Sequence, residues 1–292
     1  MTTYSPLRYP GGKAKLSSFV RYVIENKVNR EIDTYIEPFA GGAGVALDLL
    51  FNNVVENIII NDYDKAVYSF WKAAIYEANR FVERIQEINV TVEEWKNQKN
   101  IYTNYRHKYS FDLGFATFFL NRTNRSGILT AGPIGGIHKN GNYPINARFN
   151  KDDLIKKITS ISQRRNNIKV YNKDIRNFIR LVIIPNQEHS FVYFDPPYFQ
   201  KGKELYKNYF LPKDHTEIYS QISQTVTCPW LITYDNVTSI SDMYRQYYRK
   251  NFDLIYSLAN KGQSSEIMIF SSKTLCPTQI ELANSSVKIN LY

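Results

Sequence analysis

The chain has 292 residues, 43% of them hydrophobic, and carries 37 Lys and Arg against 27 Asp and Glu, a formal charge of +10. That length suits one large α/β domain or a core with a smaller insertion, and the positive excess favours a polyanionic partner, nucleic acid being the commonest. Cys228 and Cys276 make no CxxC pair and His107, His138, His189 and His215 are scattered, so no disulfide framework and no metal site are expected; no apolar signal core opens the chain and no stretch is long enough to span a bilayer, so a soluble protein in a reducing compartment is expected.

In chain order, Lys15 to Glu25 has a helical pattern, and Thr34 to Phe39 is the first short β-branched and aromatic run. The run leads into Glu37-Pro-Phe-Ala-Gly-Gly-Ala-Gly44 and then the helical stretch Val45 to Leu50. Glycines after a strand let the backbone turn sharply and let a ligand approach closely. In open α/β sheets such a turn lies at the carboxyl end of the strands, where ligands bind. The second strand, Asn57 to Asn61, ends at Asp62, with Asp64 close behind. A carboxylate there suits both hydroxyls of a ribose, so loop and acid together point to a nucleoside cofactor.

From about residue 65 to about 165 the patterns are helical, apart from one Gly-rich stretch, Asn121 to Gly136. This reads as an inserted domain. Alternation then resumes with strands at Ile168–Tyr171, Ser190–Asp195, Trp230–Tyr234, Phe252–Tyr256 and Glu266–Phe270, and with helices at Asp174–Ile183 and His215–Thr225. Strand alternating with helix implies a mixed, mainly parallel sheet covered by helices on both faces.

The sharpest signal is Asp195-Pro196-Pro197-Tyr198, which follows the apolar strand Phe191 to Phe194. Two prolines remove two backbone donors and stiffen the turn. The Asp195 carboxylate and the Pro196 carbonyl are left as paired acceptors, which suit an NH2 group with two hydrogens. Tyr198 offers a flat face for stacking a base.

At this point the chain resembles the Dam-type family of adenine-N6 DNA methyltransferases over most of its length. Leu7-Arg-Tyr-Pro-Gly-Gly-Lys13 resembles the N-terminal cofactor motif, residues 37–44 the methionine-binding loop, Asn61-Asp62 the ribose position, Lys173-Asp174 the adenine-ring position and residues 195–198 the catalytic motif. Leu231 to Asn236 and Ser265 to Phe270 resemble later core motifs. The resemblance implies a Rossmann-like methyltransferase core from residues 1–64 plus 166–292, with a mainly helical target-recognition domain, residues 65–165, that carries a hairpin. It implies that Tyr9, Lys13, Glu37, Phe39, Gly41, Gly44, Asp62, Asp174 and Asp195 contact S-adenosylmethionine, which leaves as S-adenosylhomocysteine, with no metal. It also implies that Asn121, Arg122, Asn124, Arg125, His138 and Lys139 contact double-stranded DNA, whose flipped-out adenine meets Asp195, Pro196, Pro197 and Tyr198. The expected setting is the cytoplasm of a bacterial or phage-infected cell, as a monomer away from membranes, genetically paired with a restriction endonuclease. Methylation of cytosine N4 or of RNA uses similar corner chemistry. A DNA-binding protein without activity leaves the intact corner unused, and a dehydrogenase leaves it unexplained.

Overall fold

The computed structural model describes residues 3–8, 13–105, 107–138, 141–200, 210–254, 266–285 and 287–292. The chain divides into two compact units: residues 1–12, 41–44 and 62–172 form the first, and residues 13–40, 45–61 and 173–292 the second. Tyr9 and Lys139, two of the expected contact residues, lie outside the described residues.

The second unit is built on a mixed sheet. Its strands are β1 (Thr34–Glu37), β2 (Asn57–Asn61), β4 (Ser190–Phe194), β5 (Trp230–Asp235), β6 (Tyr248–Leu254), β7 (Glu266–Phe270) and β8 (Ile289–Leu291), while β3 (Ile168–Tyr171) falls in the first unit. Within the second unit the strand order is β2-β1-β4-β5-β7-β6-β8. The pairs β1–β2, β1–β4 and β4–β5 are parallel. The pairs β5–β7, β6–β7 and β6–β8 are antiparallel. Every residue of β4 and β5 is buried, so both faces of the sheet are covered at its centre. That is why these strands read as unbroken apolar runs and not as alternating ones. Helix α1 (Ser17–Lys27) buries Phe19, Val20, Val23 and Ile24, and Phe19 meets Phe270 of β7 edge to face. This α/β sheet, with its parallel centre and reversed β7, has the architecture of a Rossmann-like methyltransferase core.

Helix α2 (Gly44–Phe51) follows the Gly-rich turn. The helices of the first unit are α3 (Lys65–Tyr76), α4 (Ala78–Glu87), α5 (Val92–Tyr105), α6 (Phe111–Thr123) and α7 (Lys151–Gln163). Their core is aromatic. Phe81 packs against Phe70, Phe111, Phe115 and Phe118, and Phe70 stacks on Phe118 at 6.0 Å. A glycine inside a helix costs about 1 kcal/mol relative to alanine, yet Gly114 sits in mid-α6. A Cβ there would fall 2.4 Å from the Ser69 carbonyl oxygen, so only glycine lets α6 approach α3 this closely. After α6 the chain turns back through an antiparallel bridge between Asn124 and Pro133.

The sequence pattern differs from the structure in several places. Strand β6 begins at Tyr248, not Phe252, and residues 255 and 256 of the expected run lie outside the described residues. The helix expected over residues 174–183 starts as α8 (Ile175–Phe178), widens into a π-helical turn at Ile179–Ile183 and ends as α9 (Ile184–Asn186). Pro185, which lacks an N–H and crowds the preceding turn, accounts for the widening. The three-residue β8 carried no usable pattern. Helix α10 (Pro212–Thr225) matches the expected one with three further residues at its start.

Candidate active site

In the second unit, β4 lies between β1 and β5 and ends at Phe194, directly before Asp195. Thr233, wholly buried on β5, donates its hydroxyl to Asp195 Oδ1 at 2.7 Å. With that proton committed, the Tyr193 hydroxyl is the donor in its 2.8 Å contact with Thr233. The relay from Tyr193 through Thr233 orients the carboxylate by Oδ1. Burial pushes the Asp195 carboxyl up to about 6. The Lys13 ammonium and the Thr233 hydroxyl pull it back, while the Glu266 charge adds to the rise.

Pro196 and Pro197 cannot donate hydrogen bonds. Beyond Tyr198, the N–H groups of Phe199 and Gln200 both donate to Asp235, one to each oxygen, at 2.8 and 2.9 Å. Asp235 is buried at the end of β5 and so clamps the far side of the corner. The Tyr198 hydroxyl accepts from the buried Lys13 ammonium at 2.7 Å and donates to Glu266 at 2.7 Å. Lys13 and Glu266 also form an ion pair. Glu37, buried at the end of β1, accepts from the Ala46 N–H at 3.2 Å in the first turn of α2. Burial holds its carboxyl well above the ordinary range against the pull of that N–H, and the Asp195 charge adds to the rise. The half-buried Phe39 ring meets Phe210 edge to face at 5.9 Å. Asp174 caps α8, accepting from the Arg176 and Asn177 N–H groups at 3.1 and 3.2 Å. Burial raises its pKa, but hydrogen bonds from Asn177 and the charge of Arg176 outweigh that and hold the carboxyl below its usual range.

The first unit contains the Gly-rich turn and the acid. Asp62 accepts from the Gly41 N–H at 3.0 Å on Oδ2 and from the Asp64 N–H at 2.8 Å on Oδ1. Each oxygen keeps lone-pair capacity, and two adjacent acceptors match the vicinal hydroxyls of a ribose. By that test the residues fit a nucleoside cofactor. Burial, then the neighbouring Asp64 charge, raises Asp62 to about 7 against the two N–H groups that favour its ionised form. The turn is held by the Trp71 Nε1–H, which donates to the Gly41 carbonyl at 2.9 Å. Ala43 is fully buried with φ 46°, a left-handed conformation that costs a non-glycine residue about 1–3 kcal/mol.

The expected DNA contacts divide by placement. Asn121 is buried; its Oδ1 accepts from the Arg8 N–H at 2.7 Å and its Nδ2 donates to the Arg8 and Gly127 carbonyls. Asn124 is buried too, accepting from Trp95 Nε1 at 2.6 Å and donating to the Ile128 and Leu129 carbonyls. Both amides are thus occupied inside the unit and tie its loops together. Arg125 and His138 are exposed, and Arg122 is half-buried. Sequence reasoning missed Thr233, Asp235 and Glu266 as supports of the corner. The signal available for them was position alone, since each sits at or near the end of a core strand next to the corner.

An Asp195 carboxylate held by Thr233 and followed by two prolines, directly after the central strand of such a sheet, is the arrangement the sequence led us to expect of an amino-methyltransferase. The family model for D12 class N6 adenine-specific DNA methyltransferases matches residues 9–258, and the chain belongs to that family. It is a site-specific DNA methyltransferase that acts on adenine. Among known relatives, Type II methyltransferase M.MjaIII of Methanocaldococcus jannaschii is 26% identical over 205 residues, 66% of this chain and 68% of that one. Type II methyltransferase M1.LlaDCHI of Lactococcus lactis subsp. cremoris is 24% identical over 65% of this chain and 64% of its own length. Type II methyltransferase M.CviBI of Paramecium bursaria Chlorella virus NC1A is 22% identical over 265 residues, 86% of this chain and 90% of that one.

Proposed function

We propose that Asp195, Pro196, Pro197 and Tyr198 form the catalytic corner of this methyltransferase, with S-adenosylmethionine as donor and double-stranded DNA as substrate. The observation that supports this most is the Asp195 carboxylate, oriented through Oδ1 by Thr233 and followed at once by two prolines. S-adenosylmethionine supplies a methyl group on a positively charged sulfur, which is already activated toward a nucleophile. Adenine N6 is a poor nucleophile because its lone pair is delocalised into the ring. Asp195 Oδ2 and the Pro196 carbonyl accept its two N–H bonds, which favours a more tetrahedral nitrogen with its lone pair free. The same acceptors stabilise positive charge as it develops on nitrogen, without reorganising at the moment of reaction. Positioning therefore matters more than acid–base strength. The adenine must leave the duplex stack, at a cost of a few kcal/mol, and Tyr198 stacks on it with its ring held by Lys13 and Glu266.

Lys13, Glu37, Phe39, Gly41, Gly44, Asp62 and Asp174 are the residues to which we assign the cofactor. Asp62 accepts the ribose hydroxyls. We assign cofactor binding and catalysis to residues 1–64 plus 166–292, and target recognition to residues 65–165. There Arg122, Arg125 and His138 contact DNA, and Asn121 and Asn124 hold the reading loops in shape. The relatives named Type II methyltransferases support a modification role beside a restriction endonuclease. We place the enzyme in the cytoplasm, acting as a monomer, since one transfer needs one corner. No helix among the described residues is long and apolar enough to cross a membrane.

The test is Asp195→Ala, assayed with labelled donor on duplex DNA and nucleoside analysis of the product. A loss of about 10²-fold or more in the single-turnover rate is expected, with the melting profile largely kept. Transfer at near wild-type rate refutes the mechanism.

A further inference from the structure

His215, in the first turn of α10, is wholly buried and has no part in the chemistry above. Its Nδ1 lies 3.0 Å from the Tyr234 hydroxyl on β5. Three aromatic rings meet the imidazole: Phe199 at 5.0 Å, Phe210 at 5.4 Å and Tyr234 at 5.5 Å between centroids. Two of these rings lead to the site. Phe199 directly follows Tyr198, and its N–H is one of the two held by Asp235. Phe210 meets the Phe39 ring edge to face at 5.9 Å. A row of ring contacts therefore runs from Phe199 through His215 and Phe210 to Phe39, and Tyr234 ties its middle to the sheet.

Stability alone does not account for an imidazole in this place. A neutral imidazole has one N–H and one acceptor nitrogen. Nδ1 engages Tyr234, but among the described residues the buried Nε2 has no hydrogen-bond partner. Leaving a buried polar atom orphaned costs at least as much as a neutral hydrogen bond contributes. Burial lowers the His215 pKa to about 4 against the charges of Asp235 and Asp214, so the ring is neutral and takes no ion pair. What the bond to Tyr234 supplies is direction. It stops the imidazole turning about its Cβ–Cγ bond, and contacts between aromatic rings depend on their relative orientation.

We propose that His215 is a positioning residue: fixed by Tyr234, its ring seats Phe199 next to the catalytic corner and Phe210 against Phe39, and so keeps the corner and the cofactor residue in register. The proposal rests on the assignment of the corner to catalysis and of Phe39 to the cofactor. Small misplacements of reacting groups are costly in rate, so a ring that only positions can still matter to transfer.

The experiment compares the full chain with His215→Phe, Tyr234→Phe and the double variant, well below all four melting points. Single-turnover transfer at saturating donor reads the corner, and calorimetric affinity for S-adenosylhomocysteine reads the Phe39 side. Each single variant should slow transfer about tenfold and weaken S-adenosylhomocysteine binding about threefold. Both break the same bond, so the double variant should lose no more than either single one. It leaves neither partner orphaned and should melt above both single variants. Tyr234→Phe deletes one oxygen atom and keeps the test open if the bulkier ring at position 215 does not fold. Losses that multiply to about a hundredfold in the double variant show two independent effects and overturn the coupling. Lower melting points with both readouts at wild-type values leave His215 a structural residue and also overturn it. Slower transfer with unchanged S-adenosylhomocysteine affinity overturns the link to Phe39. Near wild-type transfer by Asp195→Ala refutes instead the reading of the corner on which the proposal rests.

Discussion

Thr233→Val tests the corner without touching any atom that meets the substrate. Valine keeps the shape of threonine but removes the hydroxyl that donates to Asp195 Oδ1 at 2.7 Å. A hydrogen bond to an ionised group is worth about 1.5–3 kcal/mol, and each pKa unit corresponds to about 1.4 kcal/mol. The Asp195 carboxyl, already raised to about 6 by burial, should therefore move up by about one to two units in the variant. Because the shift is upward, the ionised acceptor is gained as pH rises and lost as pH falls. With a midpoint moved to about 7.5, the variant should transfer methyl groups about fifteenfold more slowly than wild type at pH 6 and within a few-fold of it at pH 9. The assay is single-turnover transfer to duplex DNA from pH 5.5 to 9. A midpoint that does not move, or that moves down, refutes the role given to Thr233. The variant also leaves the buried Tyr193 hydroxyl without its acceptor, a penalty of about 1–3 kcal/mol. Adding Tyr193→Phe should recover part of that stability without restoring the midpoint.

Two further outcomes follow from the first unit. Asn121→Ala strips three hydrogen bonds from buried and part-buried main-chain groups and should lower stability by about 2–4 kcal/mol in denaturant unfolding; an unchanged midpoint would show that the amide is not the tie described above. Asp62, raised to about 7, offers its full charge to ribose hydroxyls only above that pH. Affinity for S-adenosylhomocysteine by calorimetry should therefore fall as pH drops from 8 to 6, and Asp62→Asn should bind more weakly with that dependence gone.

Much of the core could be read from the residues. Strands β4 and β5 announced themselves because they are buried on both faces, which leaves no polar interruption to hide them. The corner stood out in the sequence because an Asp and a Tyr flank the proline pair directly after an apolar strand. Its supports were not. Thr233, Asp235 and Glu266 are ordinary residues in the sequence, and they gain a role only because β5 and β7 run beside each other at the corner. Asn121 and Asn124 show the converse. Their residue type suits adenine edges, but the same two-ended amide suits a peptide group, and the fold uses it for that. Composition cannot distinguish these uses, because the deciding partners, the Arg8 peptide for Asn121 and the Trp95 ring N–H for Asn124, are distant in sequence.

The division into two units has a practical consequence for anyone who wishes to redirect the enzyme. The chain passes from one unit to the other five times, after residues 12, 40, 44, 61 and 172. Neither unit is a contiguous cassette. A chimera that exchanges only the long central stretch would import a new α6 loop while retaining an N-terminal strap shaped to the old one. Successful swaps should carry residues 3–8 along with their distant counterpart.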